Sequence, residues 1–180
     1  MKATKLLLIV LSCMLVIGCK KNNTEDEPTP PTPQYPLITM DTLKHYFPYE
    51  TIDRQIFRED DDGFFGFAYT IKEATFASKD NKITANILMS GYIDLFKVTF
   101  TVQLKAEVTD QHLLKTTLSA EGSGVGRPKE ASFEYDTAKE GALPDQLNYS
   151  NEAIVEKGKG LTHYIDGYGQ GWDLDHTYYK

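Results

Sequence analysis

The chain has 180 residues, 19 Lys+Arg against 26 Asp+Glu, a formal net charge of −7 and only two cysteines. That length holds one ordinary domain plus accessory segments. An acidic chain with no lysine or arginine cluster argues against nucleic acid or anionic headgroups as partners, and two cysteines cannot build a disulfide scaffold.

The chain opens with Lys2 and Lys5, followed by an apolar run over residues 6–17 broken only by Ser12, and then Gly18-Cys19. A charged start, a short apolar stretch and a small-residue exit are the layout of a signal peptide. The run is well short of the roughly 20 apolar residues that a membrane-spanning helix needs. A short anchor or a buried core helix is the rival reading, and the charged flank speaks against both. Cleavage before Cys19 removes Cys13 and the two lysines, which takes the formal charge from −7 to −9 and leaves one cysteine, so no intramolecular disulfide can form.

Residues 20–27 are wholly polar, and five prolines fall within residues 28–36. Proline fixes its own φ and disfavours helix in the residue before it, so this stretch reads as a polyproline II spacer. The expected organisation is a signal peptide at 1–18, a tether at 19–36 and one domain at 37–180, a span sufficient for a real core.

Within that domain, residues 39–47 predict a short helix: Met40, Leu43 and Phe47 recur at helical spacing, Thr39 or Asp41 can cap, and Pro48 ends it. Residues 52–59 and 64–72 read as strands joined by an acidic turn, Glu59 to Gly63. The three aspartates there suggest calcium. An EF-hand loop with Gly63 as its glycine, however, would need carboxylates where Arg58 and Tyr69 stand; a solvated turn fits better than an ion site. Ile83, Ala85, Ile87 and Met89 alternate with polar neighbours, and a turn is expected near Gly91-Tyr92. The strongest pattern follows, with Phe96, Val98, Phe100, Val102, Leu104, Ala106 and Val108 set against polar residues in every gap. One dry and one wet face means an antiparallel sheet, since parallel sheets bury both. Residues 112–121 supply Leu114, Leu118 and Ala120 to the same face. The glycine-rich stretch 122–128 lacks the following Gly-Lys-Ser/Thr and leads into strand 129–135, so it is not a phosphate loop. Residues 137–151 read as a long loop, and strands are expected at 153–157, 160–165 and 170–177 with a turn at Asp166-Gly167.

The expected fold is all-β: about eight antiparallel strands in a meander, closed as a lipocalin-like barrel, with a β-sandwich as the alternative and one short N-terminal helix. The expected core is Ile71, Ile83, Ile87, Phe96, Val98, Phe100, Val102, Leu104, Leu114, Leu118, Phe133, Tyr135, Tyr164, Trp172 and Leu174.

The four histidines are scattered. His163, Asp173, Asp175 and His176 could meet across the last hairpin, but exposed hairpin charges are the commoner outcome, and no metal or cofactor is expected. No nucleophile elbow, His-Glu-x-x-His or reactive cysteine is present, which leans against an enzyme. Aromatic residues crowd the C-terminus, and Tyr168, Trp172, Tyr178 and Tyr179 are the candidate ligand contacts, because aromatic faces stack on sugars and apolar molecules; Trp172 also fits a core position.

Leu15-Val16-Ile17-Gly18-Cys19 resembles the lipobox of bacterial lipoproteins. That resemblance implies acylation of Cys19 on its thiol and amine, and two or three acyl chains anchor stably. Lys20 stands where an aspartate usually signals inner-membrane retention, so the resemblance implies the outer membrane, and Glu25-Asp26-Glu27 is similar to the acidic signals for surface export. Tyr46-Phe47-Pro48-Tyr49 and the glycine-rich, Trp172-containing last hairpin resemble small cell-envelope lipoproteins of the Bacteroidota. In that group Asp-Ser/Thr-apolar triplets are O-glycosylated, which implies Thr42 and Thr137 as modification sites. The function expected is non-enzymatic binding at the cell envelope, with a glycan, a lipid or another small apolar molecule, or an envelope protein as partner. Its contacts are expected in the last hairpin and the 137–151 loop. A purely structural surface component is the alternative and an envelope hydrolase the third.

Overall fold

The structure is a computed structural model that describes residues 35–59, 66–93, 97–122, 124 and 126–180. The described residues belong to one compact unit, Pro33–Lys180. Cys19, the acidic turn at 60–63 and Phe96 lie outside the described residues.

Helix α1 (Met40–Tyr46) is only seven residues long, and two local devices fix it. Thr39 and Thr42 form a reciprocal capping box, and the Phe47 N–H closes on Leu43. A helix this short is marginal alone, so burial of Leu43 and Tyr46 must hold it.

Ten strands follow: β1 (Ile52–Glu59), β2 (Gly66–Lys79), β3 (Lys82–Ile93), β4 (Val98–Thr109), β5 (Leu113–Gly122), β6 (Ala131–Asp136), β7 (Gln146–Asn148), β8 (Ala153–Glu156), β9 (Gly160–Ile165) and β10 (Gly171–Tyr179). A four-residue helix α2 (Thr137–Glu140) joins β6 to β7. The strands form one antiparallel sheet in the order β6-β5-β4-β3-β2-β1-β10-β9-β8-β7. Every neighbour is also a sequence neighbour except β1 and β10, so a meander has wrapped until its first and last strands pair. The remaining gap lies beside β6, and an isolated bridge crosses it between Pro128, just before β6, and Asp166, just after β9. The Thr116 hydroxyl also crosses it, donating to the Tyr149 hydroxyl at 2.6 Å. The result is a nearly closed barrel, not two packed sheets.

Ten strands form where about eight were expected, and the 137–151 loop supplies one that does not read as strand in the sequence. It contains α2 and the three-residue edge strand β7, too short to show a period. The second departure is β2, which runs seven residues past its expected end. A register shift at Lys72, between Ile71 and Glu73, moves the inward positions from Phe67, Tyr69 and Ile71 to Ala74 and Phe76. A bulge breaks the period-two pattern, which is why the second half did not read as strand. β3 likewise continues past the expected turn: Gly91 sits inside the strand, where the Phe100 ring occupies the space a side chain would need. Hairpin turns at Asp80-Asn81 (φ 51°, 62°) and Asp110-Gln111 (φ 51°, 60°) use left-handed pairs that match strand twist.

The alternation in β3, β4 and β5 holds. Ile83, Ile87, Phe100, Val102, Leu104, Leu114 and Leu118 are all buried. Ile71, Val98, Phe133 and Leu174 are only partly buried, packed against the core, and Tyr135 is half-exposed on the edge strand β6. The interior is richer in rings than expected: Tyr49, Phe57, Tyr69, Tyr149 and Tyr164 are among its largest fully buried side chains.

Candidate functional sites

Two segments cover the barrel ends and decide where a ligand can reach. At one end α1 lies over the turns at 110–111 and 157–159, through Ile38 N–H to the Gln111 carbonyl at 2.7 Å and Gly158 N–H to the His45 carbonyl at 2.6 Å. The Tyr46 hydroxyl donates to the Pro144 carbonyl at 2.6 Å, and Phe47 and Tyr49 enter the core behind it.

At the opposite end Gly126 enters the barrel. Its N–H donates to Asp166 Oδ2, and its carbonyl accepts from the Tyr164 hydroxyl at 2.9 Å and the Tyr69 hydroxyl at 3.3 Å. Burial pushes the pKa of both phenols well up, so they remain donors. Asp166 is fully buried yet saturated: Oδ2 also accepts from Trp172 Nε1, and Oδ1 accepts from the Tyr168 and Gln170 N–H groups. Gly126 is therefore a plug docked on a buried carboxylate. From sequence, the Asp-Gly turn gave a reason for Gly167 but none for a buried acid.

The four aromatic candidates do not converge. Trp172 is 3% exposed and packs edge-on to Phe67 with ring centroids 4.7 Å apart, so its face is spent in the core. Tyr168 is 77% exposed at the plug end, over a depression of about 310 Å³ lined by Gly122, Gly124, Arg127 and Gly167. Tyr178 (41% exposed) and Tyr179 (65%) lie at the other end of β10, a strand spanning roughly 30 Å at ~3.3 Å per residue. Tyr178 has the Arg54 guanidinium over its ring at 4.3 Å and the His176 ring 5.0 Å away. The 137–145 segment is also at the helix end, far from Tyr168.

The two threonines proposed for glycosylation differ sharply. Thr42 is half-buried and its hydroxyl is engaged with Thr39 in the capping box. Thr137 is 2% exposed, and its hydroxyl donates to the Pro36 carbonyl at 2.6 Å, so in the folded domain it is shielded.

One cleft does gather chemistry. β9 and β10 pair over only three positions, ending at His163 opposite Asp173, and no register pair joins residues 160–162 to 174–179. A cleft of about 540 Å³ opens there, lined by Thr162, His163, Asp173, Asp175, His176 and Thr177 among others. His163 Nδ1 lies 2.8 Å from Asp173 Oδ1, and Arg58 Nε 2.9 Å from Asp175 Oδ2. The hairpin thus brings together the histidines and aspartates the sequence had set apart, as an outer-face cluster. Among the described residues no group of three or more such side chains is placed to hold a metal ion.

Side chains replace the strand that is missing behind the cleft. The Leu161 N–H donates to the Tyr49 hydroxyl at 2.7 Å, and Gln55 Nε2 donates to the Lys159 carbonyl at 3.0 Å. Gln55 is fully buried, in register with Thr177, and its Oε1 has no hydrogen-bond partner. The sequence showed Gln55 only as a polar residue in strand alternation; a period-two reading cannot tell that it faces inward.

Comparison with protein-family models, with curated proteins and with solved structures finds no match. The fold defines an all-β meander barrel.

Proposed function

We propose that this chain is a non-enzymatic lipoprotein of the cell envelope, anchored at the outer membrane through Cys19, that binds its ligand on the outer face of the barrel. The anchor rests on the signal-like start, the Leu-Val-Ile-Gly-Cys sequence and the proline-rich spacer. One structural observation supports the outer face: the interior is occupied by Tyr49, Phe57, Tyr69, Tyr149, Tyr164 and Met89, with α1 and Gly126 over its two ends. Small-molecule sites are concavities with a few fixed polar groups. The depression under Tyr168 and the β9–β10 cleft have that form on the outside. A purely structural surface role is the second reading, and the filled interior favours it equally.

Native mass spectrometry of protein extracted from membranes, with a glycan array on the same material, tests the proposal. Glycan binding without a co-purified apolar molecule supports it. A lipid retained in the folded barrel overturns outer-face binding, and silence in both assays leaves the structural role.

A further inference from the structure

We propose that the cleft between β9 and β10 is the binding site, and that it takes a short neutral oligosaccharide; this rests on the outer-face reading above. Three observations carry it. The first is that the cleft is built into the fold. Where β10 parts from β9, the backbone groups of Leu161 and Lys159 are taken by Tyr49 and Gln55, which reach them from the barrel side. A frayed edge would leave those groups to water; here two fully buried side chains hold the strands apart. Gly160, at φ +81°, leaves room for the arrangement, since a Cβ there would lie 2.7 Å from the Tyr49 hydroxyl.

The second is the chemistry of the walls. Asp173 and Asp175 are each fixed by a neighbour, His163 and Arg58. An ionised carboxylate has about four lone-pair directions, so a fixed one still accepts from ligand hydroxyls. Thr162 and Thr177 both donate and accept, while Leu174 and Ile154 give the cleft an apolar strip. Sugars present that mixture, with hydroxyl donors in a ring around C–H faces. At about 540 Å³ the cleft lies inside the usual range for small-ligand sites, ~300–1,000 Å³. Tyr178 stands next to His176 along the strand and extends the surface beyond it.

The third observation separates a sugar from an extended peptide. A peptide would have to add to the open edge of β10. β10 carries a bulge in its pairing with β1, opposite Ile56/Phe57, where Asp175 is the extra residue, and this bends the strand beside the cleft. A bulged edge resists strand addition, whereas hydroxyl recognition by side chains does not need a continuous ladder.

The test uses the full chain in a zwitterionic, sugar-free detergent, with maltotriose, cellotriose and triacetylchitotriose as probes in saturation-transfer NMR. At least one should bind with Kd below about 1 mM. Asp173→Asn should weaken it by about tenfold or more, because a charge-assisted hydrogen bond is lost. Thr177→Trp, which fills the cleft, should abolish binding, and Lys79→Ala, at the exposed end of β2 and outside the cleft, should leave it unchanged. Circular dichroism melts establish that each variant is folded. Sugar binding undiminished in both folded cleft variants overturns the assignment while the outer-face reading survives. Failure of all three sugars to bind also overturns it, and the array and native mass spectra then decide separately whether anything binds. Binding confined to a short extended peptide would assign the cleft to strand addition instead.

Discussion

The indole N–H of Trp172 donates to Asp166 Oδ2 at 3.1 Å, and the same oxygen accepts from the Gly126 N–H at 3.2 Å. One buried carboxylate thus ties the last hairpin to the plug in the barrel mouth. Replacing it with alanine strands four donors, and a buried unsatisfied group costs about 1–3 kcal/mol. Asp166→Ala should therefore lower stability by about 3 kcal/mol or more. Because Trp172 is the only tryptophan, its emission reports the same event. Denaturant melts should show the lower midpoint, and native emission should shift to the red as water reaches the indole.

Gly126 and Gly169 both have positive φ, +81° and +89°, but differ in surroundings. A Cβ at Gly126 would lie 2.6 Å from the Phe67 ring, whereas at Gly169 nothing lies within 4 Å. Gly169→Ala should cost only the backbone term, about 1 kcal/mol. Gly126→Ala adds displacement of a packed ring and should cost clearly more. Equal midpoints for the two in urea would refute the docked plug.

Lys139 and then His112 beside Asp136, with the Ala138 N–H, hold its carboxyl well below the usual carboxylate range, at about 2. A carboxylate with a depressed folded pKa stabilises above its unfolded pKa, about 3.9, and loses that contribution as pH falls through the folded value. The wild type should therefore melt above Asp136→Asn at pH 6, and the difference should shrink between about pH 4 and pH 2. A gap that persisted unchanged at pH 2 would show that this cluster does not set the acid limb. The cluster matters to the start of the domain: Tyr35 packs edge-on against the His112 ring at 5.3 Å, and Thr137 holds the Pro36 carbonyl.

The proposed anchor makes a mass prediction. Protein extracted from membranes should exceed the mass of residues 19–180 by its acyl groups, and Cys19→Ser should lose that increment and the membrane fraction together. The same spectra test glycosylation. If modification follows folding, a mass lost in Thr42→Ala and kept in Thr137→Ala is expected, because the Thr137 hydroxyl is buried. Variant masses that differ from wild type only by the Thr-to-Ala substitution itself would remove O-glycosylation at these positions.

What the sequence alone determined was whatever repeats locally. The run from Val98 to Val108 alternates without a break and became β4, the Thr39 cap and Pro48 bracketed α1, and the antiparallel class followed from one dry face. Tertiary structure decided everything that depends on which distant residue stands opposite. Phase shifts at Lys72 and Asp175 erased the period where β2 and β10 bend, and β7 was too short to carry one. Trp172 and Tyr168 lie four residues apart and look alike in sequence, yet one ring is walled in by Phe67 and the other stands in solvent. Asp166, Gln55 and Gly126 became structural hubs only because the wrapped sheet brought their partners from 6 to 104 residues away in the chain. Side-chain polarity is written at each position, but burial of a polar group depends on partners that only the closed barrel supplies.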